Sequence, residues 1–237
     1  MNEKARPRGY FEQSRDLTNA LILVAPLLVI YEVGLFLTDG QAMNGVDFLT
    51  VIILQKVGAR GLLVFNLVLA LSVTLAASVR RRERAFSPDI VPLVLVESAV
   101  YAFSLGIVIN LILGHLPLGP PDRLRPMTAF FASLGAGVNE ELFFRFGLLQ
   151  LLAWPLSRGK KDAPEATAVA AILSSLAFSA AHYGPGGDTF EVHTFLYRFL
   201  AGLIFSGIFL WRGLAVAVYS HAIYDIYVLV VLALISR

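Results

Sequence analysis

Residues 138–145 read Val-Asn-Glu-Glu-Leu-Phe-Phe-Arg and lie inside a long apolar segment. Two carboxylates and a guanidinium in such a place constrain the fold more than anything else in the chain. A charged side chain in a membrane helix costs about 2.5–3.5 kcal/mol on insertion scales, so three together need partners. Glu141 and Arg145 stand four residues apart, acid first, on one face of a helix, and can pair with each other. Glu140 is then left over, turned about 100° from its neighbour on a helix of ~3.6 residues per turn. At that depth it must be protonated or find a polar partner on another helix. Finding that partner decides the function.

The rest of the chain agrees that the setting is a bilayer. Apolar residues make up 57% and charged residues 15% of the sequence, and the mean hydropathy is +0.72. That composition belongs to a polytopic membrane protein rather than a soluble globule. The length of 237 residues suits one sizeable domain. With no cysteine in the chain, disulfides, thiol catalysis and Cys-based zinc or iron–sulfur sites are excluded. The net charge is only +2, and the basic residues are bunched in short loops. Such bunching reads as membrane topology, and nucleic acid is not an expected partner.

Hydropathy and turn signals predict an all-α bundle of about seven spans. Residues 1–16 form a basic, cytoplasmic N-terminal segment, and 17–237 a single transmembrane domain. The first span covers 17–38, with Pro26 and Glu32 inside it, and is expected to stay as a helix rather than be removed as a leader. A mixed connection at 39–57 includes the turn-like Asn44-Gly45 and an apolar Val51–Leu54; a further short span there would make eight. The second span is expected at 58–79, ahead of Arg80-Arg-Arg-Glu-Arg84, and the third at 90–113, carrying Glu97 and Asn110. A Pro-rich loop at 114–126 leads into the fourth, 128–154, where Gly135-Ala-Gly137 allows close packing or a local irregularity. The fifth, sixth and seventh are read at 166–182, 194–211 and 214–235, the last two joined by a tight Arg212-Gly213 turn.

This map puts twelve Lys and Arg residues on one side, Arg212 among them, and five on the other. The imbalance predicts a cytoplasmic N-terminus, and the composition suggests a bacterial inner membrane. Arg198 lies about one turn inside its span and is expected to snorkel to the surface. Glu32, Glu97, Asn110, His115 and His193 have no partner in this reading.

Three polar positions can meet Glu140 at depth. His182 ends the fifth span in Phe178-Ser-Ala-Ala-His182, and His221 and Asp225 share a face of the seventh in His221-Ala-Ile-Tyr-Asp225. At ~1.5 Å per residue from the inner ends, Glu140, His182 and Asp225 fall about 17–24 Å deep and His221 about 12 Å, levels compatible with one pocket. A carboxylate beside an imidazole can take a proton from water and pass it to a leaving amine. A second polar pair can stabilise the oxyanion, which together describes peptide hydrolysis in or beside the membrane. Zinc is the other answer, with Glu140, His182 and His221 as ligands assembled from three helices. The compact His-Glu-x-x-His motif is absent. Taken singly, each polar group also has a plain reading: an interhelical hydrogen bond, an interfacial histidine, or a helix-locking His–Asp pair.

Glu140-Glu141-x-x-x-Arg145, Phe178-x-x-x-His182 and His221-x-x-x-Asp225, in that order on successive helices, resemble the CPBP family. These are the CAAX prenyl protease and bacteriocin-processing membrane proteins, also called the ABI family. The resemblance covers about 128–235; each motif alone is weak, and the three in order are specific. It implies a glutamate-type intramembrane endopeptidase with a helical bundle and no required cofactor. By that resemblance Glu140 and His182 activate the water, His221 and the residue at 225 form the oxyanion hole, and Glu141 and Arg145 are a structural pair. The family commonly has Asn where this chain has Asp225. An ionised carboxylate repels an oxyanion, so Asp225 is expected to hold His221 protonated or to be protonated itself. The family also often has Gly directly after the Arg, whereas here Phe146 precedes Gly147.

The expected function is hydrolysis of a peptide bond near a terminus of a membrane-associated protein or peptide, with that substrate and the lipid bilayer as partners. Prenylated C-termini, bacteriocin leaders, signal peptides and sorting tags all fit, and the sequence fixes no oligomeric state. The rival of a different class is a non-catalytic immunity or partner-binding protein of the same fold. A zinc-dependent peptidase using the same residues is the third reading.

Overall fold

The computed structural model describes residues 9–47, 86–114, 124–158, 163–184 and 187–235, together with 64, 67, 68, 71 and 160. Among them every regular element is helical. In chain order these are α1 (Tyr10–Arg15), α2 (Leu17–Leu37), α3 (Ile90–Leu113), α4 (Pro126–Gly135), a π-helix π1 (Ala136–Leu149), α5 (Gln150–Leu156), α6 (Pro164–Ala181), α7 (Val192–Arg212), α8 (Leu214–Asp225), a second π-helix π2 (Ile226–Leu232) and α9 (Ala233–Ile235).

Five helices are long and apolar enough to cross a membrane: Leu17–Leu37, Ile90–Leu113, Pro164–Ala181, Val192–Arg212 and Leu214–Ile235. They coincide with the first, third, fifth, sixth and seventh spans read from the sequence. The expected second span, at 58–79, and the segment 51–54 lie outside the described residues apart from four single positions. The expected fourth span is a continuous helical run from Pro126 to Leu156, but it is not one α-helix, and it is not among those five.

The bilayer setting is visible on α3. Val94, Ser98, Ala102, Leu105 and Ile109 are buried, while Val96, Val100, Ile107 and Leu111 on the other face are exposed, Leu111 at 74%. A bare apolar face of that length is an aggregation hazard in water and at home against lipid tails. This is an integral membrane protein.

At the centre stands α8. Leu214 to Val218 are all buried, so the helix is enclosed on every side, as a helix apolar all round must be. It packs on α3, π1, α7 and α2. Close approach of π1 is permitted by Gly137, where a Cβ would stand 2.7 Å from the Ala222 Cβ and 2.9 Å from the Val218 carbonyl oxygen. At the preceding glycine, Gly135, a Cβ would overlap the Tyr31 ring on α2 at 2.2 Å. The Gly135-Ala-Gly137 irregularity is therefore real, and it takes the form of a π-helix. Backbone bonds there run to the fifth residue, which widens the turn. The Ser174 hydroxyl of α6 donates to the Phe144 carbonyl oxygen at 2.6 Å within this stretch.

The tight turn between α7 and α8 is a single residue, Gly213, at φ +90°, the left-handed region that glycine enters without strain. Arg212, counted from the sequence as a loop cation, is fully buried there. Its Nε lies 2.5 Å from Glu97 Oε1 and its Nη2 donates to Glu97 Oε2 at 2.8 Å and to Ser14 Oγ at 3.0 Å. Glu97, without a partner in the sequence reading, also accepts from Tyr10 and, at 3.1 Å, from Tyr101. The ion pair thus ties α1 and α3 to the end of α7. Sequence position could not reveal it, because the partners are 115 residues apart.

Candidate active site

The wide turn of π1 brings Glu140 and Glu141 to the same imidazole. His221 Nδ1 is 2.8 Å from Glu141 Oε1, and its Nε2 is 3.9 Å from Glu140 Oε2 and 3.6 Å from Asp225 Oδ2. Glu140, expected to turn about 100° from its neighbour and to meet a polar group on another helix, faces the opposite nitrogen of the ring that Glu141 holds. A carboxylate on Nδ1 fixes that nitrogen as the donor and leaves Nε2 to face Glu140 and Asp225. The ring is held by stacking on Phe205, with centroids 4.4 Å apart and planes at 16°.

Glu141 is shared. Arg145 Nη1 lies 3.1 Å from the same Oε1, and both side chains have no solvent exposure. The guanidinium also donates from Nη2 to the Gly202 carbonyl oxygen of α7 at 3.3 Å and sits 4.2 Å over the Phe178 ring of α6. Arg145 thus joins π1, α6 and α7 as well as balancing a carboxylate. Glu140 is equally deep, at 3% exposure, but its Oε2 has no hydrogen-bond partner among the described residues. A buried carboxylate oxygen in that condition demands an explanation.

His182 caps the C-terminal end of α6. Its Nδ1 is 2.9 Å from the Phe178 carbonyl oxygen, so Nδ1 carries the proton and donates, and Nε2 is the acceptor. Phe178 links the two imidazoles, meeting His182 edge-on at 5.0 Å and His221 at 6.0 Å. Glu140 Oε1 and the carbonyl of Ala181, the residue before His182, are both 3.8 Å from where a Cβ on Gly45 would stand. Glu140, Glu141, Arg145, His221 and Asp225 are in direct contact as a cluster, and His182 reaches it through Phe178. For the zinc reading, the described residues contain no group of three His, Asp or Glu side chains arranged to hold a metal ion.

A second polar network lies against the first and was missed in the sequence. The Asn44 side chain accepts from the Val46 and Asp47 amides at 2.9 and 3.2 Å, while the Asn44 amide donates to Asp47 Oδ2 at 3.0 Å. That reciprocal pair is a capping box with Asp in the place usually held by Glu. Asp47, 2% exposed, also accepts from the Tyr31 hydroxyl and, at 3.2 Å, from Asn139 Nδ2, the neighbour of Glu140. The box seats Gly45 on the site. Asn44-Gly45 had been read as a turn only; the spacing Asn44-x-x-Asp47 was the available signal. Asn44→Ala is expected to cost about 1 kcal/mol as a lost cap and to lower turnover by loosening Gly45 over Glu140. Thermal unfolding and activity of the purified protein check both.

The fold and the cluster define a class: a helical integral membrane protein with carboxylates and imidazoles gathered inside the bundle. Residues 123–227, which include all of Glu140, Glu141, Arg145, His182, His221 and Asp225, match the family model for Rce1-like proteins, described as type II CAAX prenyl endopeptidase Rce1-like. Over that region, which is less than half of the chain, the sequence is similar to a family of CAAX-type endopeptidases, in line with the CPBP resemblance. No curated protein and no solved structure matches the chain.

Proposed function

We propose that the protein is an intramembrane endopeptidase of the CAAX type, working by a glutamate mechanism on a membrane-associated protein or peptide. The observation that carries this reading is the buried, unpartnered Glu140 Oε2, 3.9 Å from His221 Nε2. Glu140, ionised, takes a proton from a water that His182 Nε2 orients. The resulting hydroxide adds to the scissile carbonyl carbon, and its π electrons move onto the oxygen. That oxyanion is met by a proton on His221 Nε2, which the Glu141 and Asp225 carboxylates favour by their charge. Collapse breaks the C–N bond, and Glu140 returns its proton to the departing amine. Asp225 acts on His221 in this scheme rather than on the oxyanion directly, which accommodates a carboxylate where the family commonly has Asn. Glu141 and Arg145 hold the imidazole in place and touch no reacting atom.

The test compares protein termini in membranes from cells carrying wild type or Glu140→Gln at matched expression. A terminus that appears only with wild type is the expected result, and it identifies the substrate. Identical termini alongside a Glu140-dependent phenotype would overturn proteolysis in favour of a binding or immunity role. Turnover by the purified protein is expected to survive chelators, since the scheme uses no metal; chelator inhibition with stoichiometric bound zinc would select the zinc mechanism instead.

A further inference from the structure

Asn139 stands next to Glu140 on π1 and takes no part in the scheme above. It is buried, at 6% exposure. Its Nδ2 donates to Asp47 Oδ1 at 3.2 Å. The Asn44 amide and the Tyr31 hydroxyl both donate to the other oxygen of Asp47, so this carboxylate acts throughout as an acceptor. An acceptor there fixes which end of the Asn139 amide is nitrogen and leaves Oδ1 turned the other way. Oδ1 is buried and has no hydrogen-bond partner among the described residues. Glu140 reaches the same segment two residues earlier, its Oε1 standing 3.8 Å from where a Cβ on Gly45 would be. Asn139 and Glu140 therefore lie on one side of π1, facing 44–47. Two buried oxygens are left open there on neighbouring residues, Asn139 Oδ1 and Glu140 Oε2. The carboxylate is basic and takes a proton; the amide oxygen is neutral and only accepts a hydrogen bond. A buried acceptor left unfilled is costly, and one held open beside a base suits a donor that arrives with the substrate.

We infer that Asn139 is a further catalytic residue, whose Oδ1 accepts the N–H of the scissile peptide bond. This rests on the peptidase reading above. In the bound substrate that nitrogen is conjugated with its carbonyl and is a poor base. Addition of the water oxygen to the carbonyl carbon ends the conjugation and leaves a lone pair on the nitrogen. That pair takes the proton held by Glu140. The C–N bond then breaks, its electrons pass to the nitrogen, and the oxyanion re-forms the carbonyl. The original N–H proton stays on the nitrogen throughout. While the nitrogen is cationic its N–H is a stronger donor, so the bond to Oδ1 is tighter in the transition state than in the bound substrate. An interaction of that kind accelerates the chemical step. Held by Oδ1, the nitrogen also cannot turn its N–H onto the carboxylate that must protonate it. Asp47 is a positioning residue in this account: it touches no reacting atom but keeps the Asn139 amide from flipping.

The experiment uses the purified full chain in detergent, with Glu140→Gln as the blank. A peptide library locates a bond that wild type cleaves. That sequence is then made twice, once as the peptide and once with an ester oxygen in place of the scissile N–H. The ester carries no hydrogen for Oδ1 to accept. Asn139→Ala is expected to cleave the peptide roughly tenfold to a hundredfold more slowly than wild type, the worth of one charge-assisted hydrogen bond, with kcat and kcat/KM falling together. The ester should be spared, so the peptide-to-ester ratio falls by the same factor. Each ratio is taken within one preparation and does not depend on the fraction folded. If Asn139→Ala yields no protein, Asn139→Ser is read instead: serine keeps a donor for Asp47 but has no carbonyl oxygen, and the ratio should still fall. An undiminished ratio would overturn the role of Asn139 while leaving the peptidase intact. Equal losses on peptide and ester would mean that Asn139 only shapes π1 through Asp47, and no loss on either that Oδ1 serves no substrate. No Glu140-dependent cleavage anywhere in the library would instead remove the peptidase reading, and this inference with it.

Discussion

Arg145→Met is expected to be the most destabilising single substitution in the site. The guanidinium is fully buried, and so is the Glu141 carboxylate it faces at 3.1 Å. Removing one member of such a pair leaves the other as a buried charge and typically costs about 3–5 kcal/mol. Methionine keeps much of the volume, so the loss is electrostatic more than a cavity. Two further contacts go with it, the bond to the Gly202 carbonyl and the packing over Phe178, which tie π1 to α7 and α6. The pairing itself is separable from these by a second substitution. Glu141→Gln in the Arg145→Met background removes the orphaned charge, and an amide oxygen at that position can still accept from His221 Nδ1. The double variant should therefore recover a large part of the lost stability, with a coupling between the two sites of about 1–3 kcal/mol. Thermal unfolding of the four proteins in detergent gives the cycle directly. Purely additive losses would show that Arg145 acts through Gly202 and Phe178 alone. Turnover should stay low in the double variant even where stability returns, because His221 has lost a carboxylate that favours its protonated form.

How much of this was open to sequence reading follows from the range of each interaction. The third and seventh spans were read at 90–113 and 214–235, and α3 and the α8–α9 run occupy those residues, because apolar runs and flanking turns are local signals. The Glu141–Arg145 contact was equally legible, four residues apart on one helix. The π-helix was not. A 3.6-residue period assumes an α-helix, and what sits against Gly135 and Gly137 is supplied by Tyr31 and by α8, far away in the chain. Hence the sharing of His221 between Glu140 and Glu141, 80 residues distant, could not be foreseen. The buried Arg212–Glu97 pair failed for the same reason. The Asn44–Asp47 box is a different case, since its signal was local and was passed over as a turn.

The second large effect concerns a residue with no functional group. Gly137→Ala is expected to leave a folded protein with turnover reduced by roughly a hundredfold, the scale of a ~1 Å misplacement in an active site. The added methyl would stand 2.7 Å from the Ala222 Cβ, 2.8 Å from its amide nitrogen and 2.9 Å from the Val218 carbonyl oxygen. Two of those three atoms are backbone of the most enclosed helix in the bundle, so π1 must give way. Overpacking of this kind costs about 1–3 kcal/mol, which a domain survives. The chemistry tolerates it less well. Glu140 and Glu141 ride on π1 and His221 on α8, and the 3.9 Å and 2.8 Å separations between them are set by how closely those two helices approach. Ala222→Gly in the same protein relieves the methyl–methyl contact but not the clash with the backbone, so it should restore only part of the rate. Kinetics and thermal unfolding measured side by side distinguish the two effects. A large loss of rate with a small loss of stability means that glycine at 137 is kept for the geometry of the cluster. Full activity in Gly137→Ala would mean that the imidazole follows the carboxylates when the helices part, and that the site is held together by Arg145 and Phe205 rather than by backbone contact.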